Sequence, residues 1–501
     1  MPLPFLLWYS LLMPSSPPDS IDTNSAPTIV WFRADLRLSD NPALDWACKR
    51  KAAIIPVFFW APQEESIWAP GGASKWWLHY SLVSLQHSLA LLGSKLIVRA
   101  STDSQLSLVK LIEETGANAV TWNRRYEPSI IERDAKIKEA LVAERITVES
   151  FNGSLLCEPW KGVKADGKPY QVYTPFWRNQ VARGFGTQPL PAATKILAPK
   201  SWPISEAISS LSLLPKKNKW DAGFNNWTPG EAGAHKRLSF LLSNVASSYA
   251  ETRNLPAQRG TSMLSPHLHF GEISSNEVLH GIRAAFPGEP LLKDVETYVK
   301  ELVWREFGYH LLFYFPHTPV KPLNKTFEKF PWIENADHLR AWQLGQTGYP
   351  IVDAGMRELW ATGWMHNRVR MIVASFLVKH LLIKWQSGAA WFWDTLLDAD
   401  LASNTMGWQW SAGSGADAAP YFRIFNPLLQ GTKFDSQGEY VKRWCPELKN
   451  LNVKHIHAPW QASSLELQQA GITLGIDYPR PIVIHEEARL RALAAYKKLR
   501  G

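Results

Sequence analysis

The chain has 501 residues, enough for two or three domains, and its 46% apolar and 20% charged residues exclude a wholly disordered protein. Lys and Arg number 54 against 45 Asp and Glu, a net charge of +9 that favours a polyanionic partner. The three cysteines, Cys48, Cys157 and Cys445, form no CxxC pair. Neither a zinc knuckle nor a disulfide framework is therefore expected, and a reducing compartment fits.

The N-terminus and the apolar segments predict no membrane association. Residues 4–13 are apolar but lack the basic segment and the cleavage site of a secretory signal, and residues 1–27 are predicted to be a disordered leader. No apolar run reaches the roughly 18 residues that a membrane span needs.

Residues 28–158 alternate between strand-like and helical patterns. Apolar runs at 29–32, 53–60, 95–99, 119–122 and 146–149 predict five strands. Between the second and third runs lies a helical stripe of leucines at positions 78, 82, 85, 89 and 92. This alternation predicts a Rossmann-like α/β domain with a parallel sheet. Neither GxGxxG nor GxxxxGK[ST] occurs here, so no typical dinucleotide or triphosphate site is expected.

The second half of the chain has a different pattern. Residues 159–230 are rich in Pro, Ser, Lys and Asn and are predicted to be an interdomain linker. From 231 to 501 the apolar periodicity is helical, as at Val369, Ile372, Val373 and Phe376, and no strand pattern is convincing. A large all-helical domain is therefore predicted.

Two segments of the helical half carry side chains suited to a ligand site. In TSMLSP (261–266), a Ser265 hydroxyl cap followed by Pro266 predicts a helix start whose free N–H groups suit an anion. In ELVWRE (301–306), Glu301, Trp304 and Arg305 share one helix face. For the first segment the alternative is an ordinary capped helix without a ligand. For the second it is a surface ion pair beside a core tryptophan.

Two further segments are polar in a helical context. In WMHNRVRM (364–371), Asn367 and Met371 share a face between arginines, which suits phosphates or is simply a solvated basic face. Asp398 and Asp400 could bind a divalent cation or hydrogen-bond a heterocycle, and no nearby His or third acid completes a metal set. The pair His267 and His269 also lacks Cys or acid partners, so no metal site is expected.

Together these segments resemble the photolyase/cryptochrome family of flavoproteins over nearly the whole chain from residue 28. The matching stretches are VWFRADLRLSDNPAL (30–44), TSMLSPHLHFGEIS (261–274), ELVWREF (301–307), WATGWMHNRVRMIVASFLVK (360–379), DTLLDADLASNTMGWQW (394–410) and DAAPYFRIFNPLLQGTKFD (417–435). Each alone is moderately specific, but six in the right order make a chance match improbable. The resemblance implies an α/β antenna domain, a linker and a helical domain that binds FAD and carries out catalysis.

The details of the resemblance imply an activity. The NRxRM pattern at 367–371 is similar to enzymes that split cyclobutane pyrimidine dimers by blue-light-driven electron transfer from reduced FAD, whereas 6-4 photolyases carry His at 367 and 371. Asn404 is typical of photolyases, where plant cryptochromes carry Asp. The LHFGE and WFWDTLLDAD stretches look like the third bacterial photolyase class and plant cryptochromes. A deoxyribodipyrimidine photolyase of that branch, acting on UV-damaged DNA, is the implied identity.

Carried over residue by residue, the resemblance implies two groups of site residues. FAD would be held by Tyr249, Thr261, Ser262, Met263, Leu264, Ser265, Arg305, Arg370, Asp398, Ala399, Asp400 and Asn404. Lesion and DNA would contact Arg253, Glu301, Trp304, Asn367, Arg368, Met371, Trp410 and Gln430. The expected catalytic residues are Glu301, Asn367, Met371 and Asn404, and an ion pair between Arg370 and Asp398 is expected against the flavin ring. Many relatives carry Arg where this chain has Met263. The helix start at 261–266, whose N–H groups would bind the FAD phosphates, therefore has one positive charge fewer here.

The resemblance also implies an antenna and an electron path. Asn123 and Glu127, in WNRRYEP, lie where relatives place a folate, so methenyltetrahydrofolate is expected, with a deazaflavin second. Trp332, Trp385 and Trp408 match the tryptophan chain that carries electrons from the surface to the flavin. Because the chain has 25 tryptophans, core packing is the alternative for each.

Two rivals remain. A cryptochrome-type blue-light photoreceptor would need a partner-binding output, and the family match runs nearly to residue 501, leaving no long C-terminal extension. A flavoprotein that binds nucleic acid without repair is the weaker rival. We expect a monomer in the cytoplasm, or in the nucleus or an organelle of a eukaryotic source.

Overall fold

The computed structural model describes residues 26–288, 292–417 and 422–500. The expected leader lies outside these residues except for 26 and 27, and so do residues 418–421 of the last family-like stretch.

Five parallel strands form one sheet in the order β3-β2-β1-β4-β5. The strands are β1 (Thr28–Phe32), β2 (Ile54–Trp60), β3 (Ile97–Ala100), β4 (Ala119–Asn123) and β5 (Thr147–Phe151). The predicted strands and the parallel sheet are confirmed, with ends that differ by at most two residues. The strand order reverses between β1 and β4, which opens a crevice at their carboxyl ends.

Helices cover both faces of this sheet. They are α1 (Pro42–Lys49), α2 (Gly72–Leu91), α3 (Ser104–Thr115) and α4 (Pro128–Ala143). Val30 and Phe32 pack into one apolar cluster, and Ile29 and Trp31 pack into another, because successive side chains of a strand point to opposite faces. The predicted leucine stripe faces the core: its first four members are buried in α2, and the fifth is the C-cap residue.

The region predicted as a linker contains a helix that the sequence analysis did not anticipate. This helix, α5 (Tyr173–Arg183), packs against the longest helix of the second half. Further along, Ile196, Ile208 and Leu211 are buried in the apolar cluster of the α/β domain. The region therefore contacts both halves of the molecule.

The second half is helical, as predicted, and no strand follows β5 in the described residues. Its helices are α6 (Glu231–Phe240), α7 (Tyr249–Thr252), α8 (Ser265–His269), α9 (Ser275–Ala285), α10 (Lys293–Tyr314), α11 (Ala336–Gln343), α12 (Pro350–Thr362), α13 (Asn367–Ser375), α14 (Trp385–Thr395), α15 (Leu401–Ala412), α16 (Pro427–Phe434), α17 (Glu439–Trp444), α18 (Ser464–Ala470) and α19 (His485–Arg500). In the described ranges, no helix combines the length and the apolar character that crossing a bilayer requires.

Helix α10 is the centre of this half. It packs against α5, α7 and α15, so its middle turns are enclosed by the linker region, by α7 and by a helix that carries a family-like motif. Its side chains between 301 and 309 therefore decide how the candidate site residues meet.

Candidate active site

The predicted cofactor and lesion residues form two neighbouring groups around α10. We call the first group the inner wall; it consists of Arg305, Tyr309, Arg370, Asp398 and Asp400. We call the second the outer rim; it consists of Arg253, Glu301, Trp304, Arg368 and Met371.

Asp398 and Arg370 form the expected ion pair. Arg370 Nη2 donates to Asp398 Oδ2 at 2.8 Å, and Arg370 Nε donates to the Met365 carbonyl at 2.7 Å. The Asp398 side chain is only 2% exposed. Its second oxygen, Oδ1, is buried and has no hydrogen-bond partner in the described part of the chain. An unpaired buried carboxylate oxygen is costly, so it marks a place for an external donor.

Asp400 begins α15 and is held by several partners. Its Oδ1 accepts from the Ser403 N–H at 2.7 Å, which caps the helix, and its Oδ2 accepts from the Tyr309 hydroxyl. Burial alone would raise the pKa of Asp400, but His269, Arg305 and Tyr309 hold that pKa well below its usual value. Asp400 is therefore a fixed buried anion. Tyr309 was missed from sequence, although it follows Arg305 by one helical turn.

Arg305 joins the inner wall to the α/β domain. Its guanidinium donates to the Ser154 carbonyl at 3.0 Å and lies 5.0 Å from the centre of the Tyr309 ring. Burial would lower the pKa of Arg305, but the charges of Tyr309, Glu306 and Asp400 raise it above its ordinary value. Arg305 therefore remains charged at the junction of the two halves.

In the TSMLSP segment, the structure corrects the predicted helix cap. Leu264 is the N-cap residue of α8, Ser265 is already the first helical residue, and no side chain caps this helix. Met263 has a φ of +55°, which turns the backbone one residue earlier than the sequence pattern indicates. The Ser262 hydroxyl instead accepts from the Leu264 N–H at 3.3 Å and from the Tyr298 hydroxyl at 3.0 Å.

The other predicted cofactor residues lie around these groups. Tyr249 is buried with its ring 5.0 Å from that of Tyr298, the partner of Ser262. Thr261 is half-buried ahead of Ser262, and Ala399 is buried between the two aspartates. Asn404 lies one turn after Asp400 and donates from Nδ2 to the Ala389 carbonyl at 3.1 Å.

On the outer rim, Glu301 pairs with Arg253. Arg253 Nη1 donates to Glu301 Oε1 at 2.5 Å, and the two side chains are 24% and 28% exposed. Burial raises the pKa of Glu301, and Arg253 opposes that rise. The charge of Arg253, which was predicted to hold DNA phosphates, is thus directed at Glu301.

Trp304 is half-buried, and one face of its indole is covered. Its indole stacks on the Tyr173 ring with centres 3.6 Å apart and planes 6° apart. The Tyr173 hydroxyl donates to the Lys300 carbonyl at 2.7 Å, which fixes this ring from behind. Tyr173 was missed because it belongs to α5, in the region predicted as a linker.

Arg368 links the remaining rim residues. It donates from Nη2 to Asn254 Oδ1 at 2.7 Å and from Nη1 to Met371 Sδ at 3.6 Å. Asn254 follows Arg253 in the chain, so it joins the two ends of the rim. Asn367 is exposed at the start of α13.

The structure leaves two predicted lesion residues outside the rim. Trp410 lines a separate small cavity with Lys379 and Phe425, and no described contact joins it to Trp304. Gln430 is half-buried on α16, one turn before Phe434, whose ring lies 4.5 Å from the Arg368 guanidinium.

The inner wall fits a heterocyclic cofactor better than a metal ion. Asp398 and Asp400 face different partners, and no group of three or more metal-binding side chains occurs in the described ranges. The free Asp398 oxygen beside Arg370 can accept a ring N–H, and Asn404 adds an amide nearby in the chain. These donors and acceptors suit the edge of a flavin or an adenine.

Comparisons with known proteins identify the family. A family model described as "DNA photolyase" matches residues 28–195, and one described as "FAD binding domain of DNA photolyase" matches residues 298–498. A deoxyribodipyrimidine photo-lyase of Agrobacterium fabrum is 50% identical over 473 residues, which are 94% of this chain and 98% of that protein. The chain belongs to the DNA photolyase family.

Two further relatives place it within the photolyase family. A crystal structure of a class III photolyase from Agrobacterium tumefaciens superposes with a TM-score of 0.91 at 48% identity, covering 97% of this chain and 100% of that one. Cryptochrome-1 of Arabidopsis thaliana is 41% identical over 484 residues, 94% of this chain and 70% of that protein. The expected kinship with both the third photolyase class and plant cryptochromes is confirmed.

In this photolyase fold, the predicted antenna residues reach the inner wall. Asn123 and Glu127 line a small cavity together with His269, Arg305 and Tyr309, at the carboxyl end of β4. The Asn123 amide donates to Asp35 Oδ2 at 2.6 Å and to Asn41 Oδ1 at 2.8 Å. Glu127 pairs with Arg125 at 2.8 Å. Both side chains thus already have partners within the protein.

The predicted tryptophan chain lies in one apolar cluster of the photolyase helical domain. Trp385 and Trp408 are buried in it, and Trp332 packs against its edge. The Trp408 indole lies flat on α14, where a side chain larger than Gly388 would overlap it. The rings of Phe392 and Trp342 lie 5.0 and 6.1 Å from that of Trp408. Trp342, fully buried, was not part of the predicted chain.

Proposed function

We propose that this chain is a deoxyribodipyrimidine photolyase that uses blue light to split cyclobutane pyrimidine dimers in UV-damaged DNA. The observation that carries this proposal is the junction on α10 of the buried inner wall with a rim that presents the half-buried Trp304 indole. The name of the relative with 50% identity supports it. Bound FAD supplies the light absorption and the electron.

The inner wall would bind and orient that cofactor. Asp398, fixed by Arg370, offers Oδ1 as an acceptor, and Asp400 adds a buried negative charge near Arg305. Thr261, Ser262, Leu264 and Ser265, together with Tyr249 and Ala399, would hold the rest of the cofactor. Asn404 contributes an amide, which forms hydrogen bonds but holds no titratable proton.

The outer rim would hold the lesion. A damaged pair leaves the base stack at lower cost than an intact one, and Trp304 offers an indole for the flipped bases. Glu301, whose pKa is raised by burial, would accept from a pyrimidine N–H as a carboxylate, and in its protonated form would donate to a pyrimidine carbonyl, which stabilises negative charge developing on the dimer. Asn367 and Met371 would complete the cavity, whereas Trp410 and Gln430, expected from the resemblance, lie outside the rim. Arg253, Arg368 and the net charge of +9 would attract the strand.

The proposal extends to an antenna pigment, an oligomeric state and a location. Methenyltetrahydrofolate is the antenna pigment we favour and a deazaflavin is the second choice, near Asn123 and Glu127. The protein would act as a monomer in the compartment that holds the DNA.

The decisive experiment mixes chemically reduced, FAD-loaded protein with an oligonucleotide that carries one thymine dimer and illuminates it with blue light. Restored thymine should appear, as measured by chromatography, in the light but not in darkness. Illuminated, flavin-loaded protein that restores no thymine would exclude repair.

The same assay separates the rival function. The 41% identity with Cryptochrome-1 favours a photoreceptor as the second candidate. A photoreceptor would photoreduce its flavin and leave the dimer intact.

A further inference from the structure

A partly open cavity lies outside the inner wall and the outer rim. It is bounded by α6, by the loop before the TSMLSP segment and by the first turn of α8. Met263 is the one residue of the predicted cofactor set that lines it. The side chain of Met263 packs against the apolar cluster of the α/β domain, whereas that of the next residue, Leu264, belongs to the cluster around Tyr249. The two residues therefore face different parts of the molecule.

The side chains that line this cavity carry positive charge without a matching negative one. Lys236, Arg237 and Arg259 line it, no carboxylate does, and these three form no ion pair within the described residues. The Arg237 guanidinium lies 5.4 Å from the centre of the Trp227 ring. Burial lowers the pKa of Arg237, and the nearby charge of Arg259 lowers it further. An anion placed between the two guanidinium groups would relieve this repulsion.

A buried histidine contributes a directed polar atom to the same cavity. His267 is only 1% exposed, and its Nδ1 lies 2.5 Å from Glu272 Oε2. Glu272 is itself fully buried and also accepts from Trp77 Nε1 at 2.9 Å and from the Ser81 hydroxyl. A carboxylate held in this way fixes the orientation of an imidazole. Nε2, which has no partner in the described ranges, is the nitrogen left for a ligand.

We propose that this cavity is a phosphate-binding site, formed by Arg237, Arg259, Lys236 and His267 Nε2. Guanidinium groups match phosphate oxygens in a two-point geometry, and a buried imidazole adds a third, directed contact. Met263 and Phe240 supply an apolar side to the cavity, which suits a phosphate carried on an organic group. The phosphate belongs either to a free mononucleotide or to the DNA backbone, and the site does not depend on dimer repair.

The test uses the flavin-loaded protein and isothermal titration with inorganic phosphate, AMP and a short undamaged oligonucleotide. The variant Arg237→Gln/Arg259→Gln removes two charges from the cavity. The control Lys216→Gln/Lys217→Gln removes two exposed charges from the linker region. We expect the first variant to bind phosphate or AMP about tenfold more weakly or worse. The control and the bound flavin should not change.

The arms of the experiment also identify the source of the phosphate. Weaker binding of AMP and inorganic phosphate assigns the site to a free ligand, whereas an effect confined to the oligonucleotide assigns it to DNA. In addition, ¹⁵N signals of His267 should shift when the assigned ligand is added.

Three results would overturn the proposal. The first is that no probe binds the flavin-loaded wild-type protein at millimolar concentration. The second is an equal loss in the control, which would mean that only net charge matters. The third is loss of flavin from the cavity variant, which would mean that these residues serve the cofactor. Because Arg259 is exposed and Arg237 is only half-buried, the variant should fold.

Discussion

The inner wall and the outer rim use the same kinds of side chain in opposite ways. In the inner wall, the side chains of Asp398 and Asp400 are 2% and 8% exposed, and Asp400 has several partners. On the rim, Arg253 and Glu301 are about a quarter exposed and have chiefly one another. Buried charge interactions are strong and geometrically fixed, whereas half-exposed ones are weak and exchangeable. The difference suits a permanent cofactor on one side and a transient DNA lesion on the other.

The largest effect should come from breaking the inner wall. Asp398→Asn leaves Arg370 without its counter-charge, and loss of one partner of a buried pair costs about 3–5 kcal/mol. We expect purified protein with less than about a tenth of the wild-type flavin, measured by the ratio of flavin to protein absorbance. Glu132→Gln, which breaks an exposed pair with Lys136, is the control. Full flavin content in Asp398→Asn would contradict the role of the wall.

The second prediction concerns Glu306, which borders the inner wall. Unlike Asp400, it has too few charged and hydrogen-bonding partners to offset the effect of burial on its pKa. Burial raises the pKa of Glu306 to about 7, despite the opposing charge of Arg305. A raised pKa in the folded state means that the stabilising contribution is complete below the ordinary Glu pKa and is lost as pH rises through about 7. Glu306 alone should therefore lower the unfolding free energy by about 2.5 kcal/mol between pH 5 and pH 8.

Denaturant unfolding at both pH values measures this change. Glu306→Gln cannot ionise and should flatten the pH dependence. Burial also raises the pKa of Glu358 to about 7, so the pH dependence that Glu358 contributes should remain in that variant. An unchanged slope in Glu306→Gln would show that Glu306 is ionised in the folded protein.

The third prediction tests electron supply to the inner wall. Trp408→Phe keeps the packing on Gly388 but removes an oxidisable indole, so photoreduction of oxidised flavin by an external donor should slow by about tenfold or more. Flavin content and repair by chemically pre-reduced protein should remain. Trp342→Phe is the matched control, because its ring lies 6.1 Å from that of Trp408 but outside the predicted chain. If Trp342→Phe is the slower variant, the path runs through Trp342.

The fourth prediction sharpens the role of the rim. Tyr173→Leu removes the ring behind Trp304, and aromatic pairs contribute about 0.5–1.5 kcal/mol beyond their buried area. Affinity for dimer-containing DNA should fall several-fold, with affinity for undamaged DNA unchanged. Tyr173→Phe keeps the ring and loses only the bond to the Lys300 carbonyl, so it should restore most of the discrimination. Equal discrimination in all three proteins would remove Tyr173 from the site.

The smallest effect on stability is expected at the partly exposed ion pair of Arg253 and Glu301. Glu301→Ala should change the unfolding free energy by no more than about 1 kcal/mol, because partly exposed ion pairs contribute little. It should leave FAD bound and yet lower the repair yield or weaken lesion binding. Repair equal to wild type would place Glu301 outside the lesion cavity.

The sequence by itself determined the elements and their chemistry. Alternation of apolar runs specified five parallel strands to within two residues, since the periods of strands and helices differ. The order of the motifs specified the family, and through it the ion pair of Arg370 and Asp398. These features depend on neighbours in the chain or on patterns that recur in relatives.

Only the tertiary structure decided which side chains meet. Tyr173 backs Trp304 across 131 positions of sequence, and Glu272 on the helical half binds Trp77 of α2. Even the local start of α8 escaped prediction, because the left-handed turn at Met263 displaced the cap by one residue. Contacts of this kind arise from how whole elements pack against one another, and the periodicity of a single element carries no information about its partner.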